Sequence, residues 1–258
     1  MAKAKFRADL LVHAAGLTRT LEQATRCIMA GQVRAVVDGR AVPVAKPGQP
    51  FPEGTAFTLD AGERYVSRGG GKLETALEVF GLDVTGLTAL DAGAATGGFT
   101  DCLLQHGAAK VYAVDVGRAQ LHEKLRADPR VVSMEHVNLR LAPDDLLPEP
   151  VDVVVADVSF ISLTLVLPAC LKFLKPDGRV IALVKPQFEL SPDKVGRGGV
   201  VRDEAFRQEA VDKVVAFARE ALGLTIVGVA PSRVKGPKGN QEYLAVFARE
   251  PRGEVENA

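Results

Sequence analysis

Cysteine is scarce in this chain of 258 residues: Cys27, Cys102 and Cys170 are all it has. An odd number of widely spaced cysteines excludes a disulfide framework and a Cys-x-x-Cys metal set, and predicts a reducing, cytoplasmic setting. Long apolar runs are also missing. The best, "LTLVLPACLKFL", is interrupted by Pro168 and Lys172, which excludes a spanning helix there. The opening "MAKAKFRADLLVHAAG" has basic residues without an h-region or cleavage site, so no secretion signal is expected. The histidines, His13, His106, His122 and His136, keep no cysteine or acid at ligand spacing, and no metal is expected.

A surplus of one charge sign is missing as well, with 32 basic and 32 acidic residues. The balance hides an asymmetry. From Met1 to Lys72 there are 11 basic and 6 acidic residues, and the rest of the chain carries the compensating negative excess. A positive N-terminal part on an acidic larger part hints at a polyanion-binding appendage. With 47% hydrophobic and 25% charged residues the composition is that of a soluble globular protein of one or two domains.

The N-terminal part reads as two short helices followed by strands. "ADLLVHAAGL" puts Ala8, Leu11, Val12 and Ala15 on one helical face, and "TLEQATRCIMAG" does so with Leu21, Ala24 and Ile28 before a stop at Gly31. "QVRAVVDGRAVPV" is strand, Asp-Gly turn, strand; "KPGQPFPEGT" is a turn-rich loop; "AFTLD" is a last strand. This order, studded with Arg19, Arg26, Arg34 and Arg40, resembles the S4-type RNA-binding domain, although Thr20-Leu21 stands where that pattern has Ser-Arg. Arg26 follows Arg19 by seven positions, two helical turns, which predicts a shared basic face. Taken singly, each arginine also fits a solvated surface charge.

The stretch "SRGGGKLETAL" joins the two parts, with a flexible triple glycine and then Lys72 opening a helix. A helix N-terminus is electrostatically unfavourable for a cation, so Lys72 demands a reason. From Leu87 onward short β-rich runs alternate with helices: "LTALDAG", "AKVYAVDVG", "VDVVVADVSF" and "RVIALVKP". They predict a mostly parallel, doubly wound sheet covered on both faces. "DEAFRQEAVDKVVAFAREAL" predicts a helix capped by Asp203, with Phe206, Ala210, Val214 and Phe217 on one side. Two closing strands around the basic loop in "LTIVGVAPSRVKGPKGNQEYLAVFARE" predict an antiparallel edge.

"ALDAGAATGGFTDCLL" is strand, glycine-rich turn and helix, where Gly93, Gly97 and Gly98 let the backbone approach a ligand. The G-x-x-x-G-G spacing departs from the dinucleotide fingerprint, and Asp91 would repel a pyrophosphate. Both suit a ligand with an amino group and no phosphate, such as S-adenosylmethionine. Asp115 ends the next strand, where a carboxylate accepts ribose hydroxyls. Ala94, Phe99 and Val116 flank these positions. Asn138 borders the adenine or is a polar loop residue.

Asp157 and Lys185 end two core strands, at the crevice where such sheets bind ligands. Adenine or cytosine N-methylation calls for two prolines after the acid, and Val158-Ser159 stands there instead. Cytosine C-methylation calls for a nucleophilic cysteine, and Cys170 lies in an apolar helical pattern. A ribose hydroxyl needs deprotonation, which a lysine can perform when a neighbouring cation favours its neutral form and carboxylates orient both amines. Lys72, Asp157, Lys185 and Glu242 supply such a set.

In this order "SRGGGKLETAL", "LDAGAATGGFTD", "VDVG", "ADVSFISL", "VKPQFE", "GGVVRD" and "KGNQEYL", behind the S4-like part, resemble the TlyA family. The resemblance implies a 2′-O-methyltransferase acting on rRNA cytidines, a Rossmann-like domain similar to the FtsJ/RrmJ type, and a Lys-Asp-Lys-Glu tetrad at the four residues just named. It implies ribosomal subunits as partners and carries a haemolysin label, but no amphipathic or spanning segment supports insertion, so no membrane is expected. Gly71, Ala95 and "FELSPDK" depart from the pattern and bear on substrate choice. The expected organisation is an S4-like domain over 1–63, a linker over 64–71, a methyltransferase domain over 72–250 and a tail over 251–258. Arg68, Arg233, Lys235 and Lys238 join the N-terminal arginines as expected RNA contacts, and "DKVGRGGVVRD" with Lys194 as a phosphate grip or a solvated loop. The competing readings are an idle RNA-binding assembly factor, a membrane-active haemolysin and a nucleotide-dependent oxidoreductase on the same topology.

Overall fold

Residues 4–59 and 64–249 are described by a computed structural model. The expected tail, 251–258, and the expected domain end at 63 lie outside the described residues. Two compact units divide the chain, Met1–Arg64 and Tyr65–Ala258.

In the first unit β1 (Lys5–Arg7) runs straight into α1 (Ala8–Ala14), and α2 (Leu21–Met29) follows a short turn. Strands β2 (Val33–Val37), β3 (Arg40–Pro43), β4 (Pro50–Pro52) and β5 (Phe57–Leu59) complete it. β2 lies between β3 and β5, and the β2–β3 turn is made by Asp38 and Gly39, both at positive φ as a tight hairpin requires. The turn-rich loop holds a strand that sequence did not predict: β4 pairs antiparallel with β1. Its Phe51 packs edge-on against Phe57 at 5.4 Å, within a core shared with Ala8, Val12, Ala24 and Ile28. Thr20 caps α2, its hydroxyl accepting from the Gln23 amide. Arg19 therefore precedes the helix, with its amide donating to the Gln23 side chain, and the helical register expected between Arg19 and Arg26 does not exist.

The second unit is a seven-stranded sheet. Its elements are α3 (Gly69–Val79), β6 (Thr88–Ala92), α4 (Gly98–Gln105), β7 (Lys110–Val114), α5 (Glu123–Arg126) and β8 (Val131–Met134), then β9 (Val151–Ala156), α6 (Leu163–Cys170), β10 (Leu174–Val184), α7 (Pro186–Glu189), α8 (Glu204–Glu220), β11 (Leu224–Pro231) and β12 (Tyr243–Arg249). The spatial order is β11-β12-β10-β9-β6-β7-β8. Strands β10, β9, β6, β7 and β8 are parallel, and β12 is antiparallel to both β10 and β11, the predicted edge.

Alternating residues of one strand enter different cores. Val154 and Ala156 of β9 join Leu163, Leu167 and Val214 on one face, while Val153 and Val155 join Leu73, Leu77, Phe99 and Leu103 on the other. Burying each large aliphatic side chain contributes about 1.5–3 kcal/mol. Asp203 caps α8 as expected, accepting from the Ala205 amide, but the buried face is Ala210, Val211, Val214 and Ala218, with Phe206 and Phe217 half-buried at its margins. Cys170 is core, its thiol pushed up to about 12 by burial.

The triple glycine, expected to be flexible, is helical. Gly69, Gly70 and Gly71 form the first turn of α3, and none has positive φ. A Cβ on Gly70 would lie 2.2 Å from the Tyr65 ring, and one on Gly98 would lie 2.8 Å from the Gly70 amide. These glycines allow the starts of α3 and α4 to pack at near-backbone contact. Close approach, not freedom of φ, is their use.

Candidate active site

β9 and β10 are parallel neighbours, so the residues just past their ends meet. Lys185 Nζ lies 2.6 Å from Asp157 Oδ1 and donates to Ser159 Oγ at 2.8 Å. Pro186 at the first position of α7 favours an extended Lys185 backbone, and its φ is −110°. Lys72, buried in α3, donates to Glu242 Oε2 at 2.6 Å from the residue before β12. Gly236 leaves room for that carboxylate; a Cβ there would lie 2.5 Å from Glu242 Oε1. Lys72 thus has a buried counter-ion, which answers the objection to a cation near a helix start. All four side chains line one cavity of about 500 Å³, together with Gly93, Ala94, Gly98 and Phe99.

A second cavity of about 350 Å³ adjoins it, sharing Gly93, Ala95, Asp157, Ser159 and Phe160. Asp115 enters it from the end of β7 beside Val116, Val137, Asn138 and Ile161. The Asp115 carboxylate accepts from the Ala95 amide at 2.9 Å and the Gly117 amide at 2.7 Å, fixing the glycine-rich turn to β7. Gly93, at φ +85°, has the Asp157 carbonyl 3.0 Å from where a Cβ would sit, so only glycine fits. Asn138 caps a short turn through the Arg140 amide.

Two expected ligand contacts lie elsewhere. Asp91 is fully buried and lines neither cavity; Thr100 donates to its Oδ2 at 2.7 Å. Burial pushes its carboxyl up to about 7, with Asp157 and Asp115 adding to the rise and the Thr100 bond opposing it. Gly97 is an N-cap at φ +97° under Leu121 and Leu125, a turn glycine and not a lining one. Among the expected RNA contacts Lys238 lines the large cavity, Lys235 and Arg68 are exposed, and Arg233 is ion-paired with Glu78 of α3. Arg19, Arg26, Arg34 and Arg40 are exposed on the first unit.

Sequence reading missed Ser159, Phe160, Phe188 and Asn240. Phe160 is 90% exposed, at φ +64°, with its ring 5.1 Å from that of Phe188. A bulky residue in the left-handed region is strained. The place of Phe160 three residues after the strand-ending Asp157 was the available signal. Asn240 is buried, accepting from the Val201 amide and donating to the Gly199 carbonyl, so it ties two cavity-lining loops together. No local pattern announces that bond.

A parallel sheet with an acid at the end of its second strand, a glycine turn beside it and a carboxylate-braced lysine at the shared cavity defines an S-adenosylmethionine-dependent methyltransferase. The apolar walls around Asp115 suit an adenosine, and the cavity opening past Gly93 leaves space for the rest of that molecule. The FtsJ-like methyltransferase profile matches residues 65–249, and the chain belongs to that family and, within it, to the TlyA group. It is 47% identical over 240 residues, 92% of this chain and 88% of the relative, to the 16S/23S rRNA (cytidine-2′-O)-methyltransferase TlyA of Mycobacterium tuberculosis. It is 41% identical over 246 residues, 93% of this chain and 99% of the relative, to Hemolysin A of Brachyspira hyodysenteriae. A solved structure from Streptococcus thermophilus, described as a candidate hemolysin, superposes with a TM-score of 0.71 at 45% identity, covering 99% of this chain and 93% of that one.

Proposed function

We propose that the chain methylates the ribose 2′-hydroxyl of cytidines in ribosomal RNA. The observation that carries this reading is the single cavity lined by the pairs Lys72–Glu242 and Lys185–Asp157, beside the cavity entered by Asp115. The substrate named for the Mycobacterium tuberculosis relative supplies the nucleotide. The unit Met1–Arg64 is read as an S4-type RNA-binding arm, with Arg19, Arg26, Arg34 and Arg40 on phosphates.

When bound, S-adenosylmethionine offers an electrophilic methyl group to a nucleophilic oxygen. Asp115, with lone pairs left over from its two amide bonds, would hold the ribose hydroxyls of that cofactor, and Val116, Val137 and Asn138 would border its base. Lys185 takes the proton of the target 2′-hydroxyl at Nζ while Asp157 holds the amine in place. Lys72 faces the developing oxyanion with its position fixed by Glu242. Phe160 offers an exposed ring on which the target base stacks once it leaves its helix. Alignment of oxygen and methyl group supplies most of the acceleration.

The test is transfer of labelled methyl groups from S-adenosylmethionine to undermodified ribosomal subunits, followed by alkaline hydrolysis. Label in hydrolysis-resistant dinucleotides, lost in both Lys72→Ala and Lys185→Ala, is expected. RNA binding without transfer to either subunit would make the protein an assembly factor. The haemolysin reading draws on the names of relatives, among them the Brachyspira protein and the Streptococcus structure; among the described residues no helix is long and apolar enough to cross a membrane.

A further inference from the structure

We infer that Ser159 is a positioning residue for Lys185, its hydroxyl being the hydrogen-bond partner that orients the amine within the cavity. The inference rests on the proposed role of Lys185 and adds a residue to it. A lysine nitrogen has three directions besides its bond to Cε. The structure directs one of them, by a hydrogen bond, to Ser159 Oγ at 2.8 Å, while Asp157 Oδ1 lies 2.6 Å away as an ion-pair partner that accepts no hydrogen bond among the described residues. In the neutral amine an N–H takes the Ser159 direction, which fixes where the other N–H and the lone pair can lie. Lys185 and Ser159 both line the large cavity, so the amine that Ser159 holds is open to a hydroxyl there. Asp157 alone would leave the amine free to rotate about Cδ–Cε and Cε–Nζ.

Ser159 itself is exposed, and among the described residues its hydroxyl has no partner besides Lys185. Nothing in the packing requires a hydroxyl there, which separates this position from a fold-determining one. Its main chain is nonetheless held tightly. Phe160 follows at φ +64°, a strained value for a bulky residue, and Asp157 precedes with its amide bonded to the Ala92 carbonyl at 3.1 Å. The hydroxyl accepts from lysine, so its own proton points away from that nitrogen, into a site where an oxygen of the target nucleotide can take it.

The experiment compares Ser159→Ala, Ser159→Thr and Lys185→Ala in methyl transfer to undermodified subunits, with calorimetric S-adenosylmethionine binding measured alongside. Nitrogen-15 NMR of the lysine side chains reads the Lys185 ammonium directly. In Ser159→Ala, kcat is expected to fall roughly 10- to 100-fold from misalignment, with KM for the subunit and cofactor affinity within about threefold of native. Ser159→Thr, which keeps the hydroxyl, recovers most of kcat. The Lys185 side-chain nitrogen shift is expected to move in Ala and to return toward the native value in Thr. An unchanged kcat in Ser159→Ala, or a rise in KM alone, overturns the inference while an inactive Lys185→Ala leaves the proposed function standing. An active Lys185→Ala overturns both.

Discussion

Lys72 and Glu242 lie 170 positions apart in the chain, yet their charged groups are 2.6 Å apart, with side chains 9% and 1% exposed. The pair links the start of α3 to the start of β12. Removing either charge leaves the other buried and unpaired.

Lys72→Ala and Glu242→Ala are each expected to lower stability by about 3–5 kcal/mol. Lys72→Met with Glu242→Leu restores part of that loss, because no charge is then stranded. All of these variants lose methyl transfer. Denaturant titration and activity on the same preparations separate the two effects; a stable but inactive double variant is the expected outcome.

Gly70→Ala tests whether the triple glycine serves packing. A Cβ at 2.2 Å from the Tyr65 ring must displace it, and the cost is expected to be about 1–3 kcal/mol, read as a fall in Tm. In a flexible linker the same change would stabilise by cutting unfolded-state entropy. The sign decides.

Asp91 gives a pH dependence. Its folded-state value of about 7 stands above the ordinary 3.8, so the native state holds a proton that the unfolded chain has already released between those values. Stability therefore falls as pH rises from about 4 to about 7 and levels off above, by a few kcal/mol at most (about 1.4 per pK unit). Asp91→Asn keeps an acceptor for Thr100 and removes the ionisation. The difference in Tm between the two proteins should shift in favour of the variant across that window and stay constant above it.

Asp115→Ala is expected to weaken S-adenosylmethionine binding by about 100-fold, since it removes the charged acceptor for two hydroxyls and frees the Ala95 turn. Titration calorimetry without RNA measures it.

Phe160→Ala should leave stability within about 0.5 kcal/mol of native, because the ring is 90% exposed. Loss of a stacking surface worth about 1–3 kcal/mol predicts a KM for the ribosomal subunit raised at least fivefold. An unchanged KM would remove Phe160 from RNA contact.

The local patterns carried much of this molecule. Short, near-continuous β-rich runs announced β6, β7, β9 and β10. Asp203 announced α8, the Asp-Gly pair announced the β2–β3 hairpin, and strand-ending Asp115, Asp157 and Lys185 announced the crevice, since parallel strands bring their carboxyl ends to one side. What failed to be legible was whatever depends on partners far away in the chain. "GGG" read as a flexible linker because composition cannot show Tyr65 and Gly98 lying against it. Asp91 read as a ligand contact because a carboxylate beside a glycine turn looks the same whether it faces a cavity or lies buried under Thr100. Ser159 and Phe160 carry no periodic signal; only their distances to Lys185 and Phe188 give them meaning. Sequence by itself determined the elements and the chemical types at their ends, because those follow from short-range backbone and burial preferences. Tertiary structure decided which ends meet, and with them the pairing of Lys72 with Glu242, because contact between residues 170 positions apart is fixed only by closure of the whole sheet.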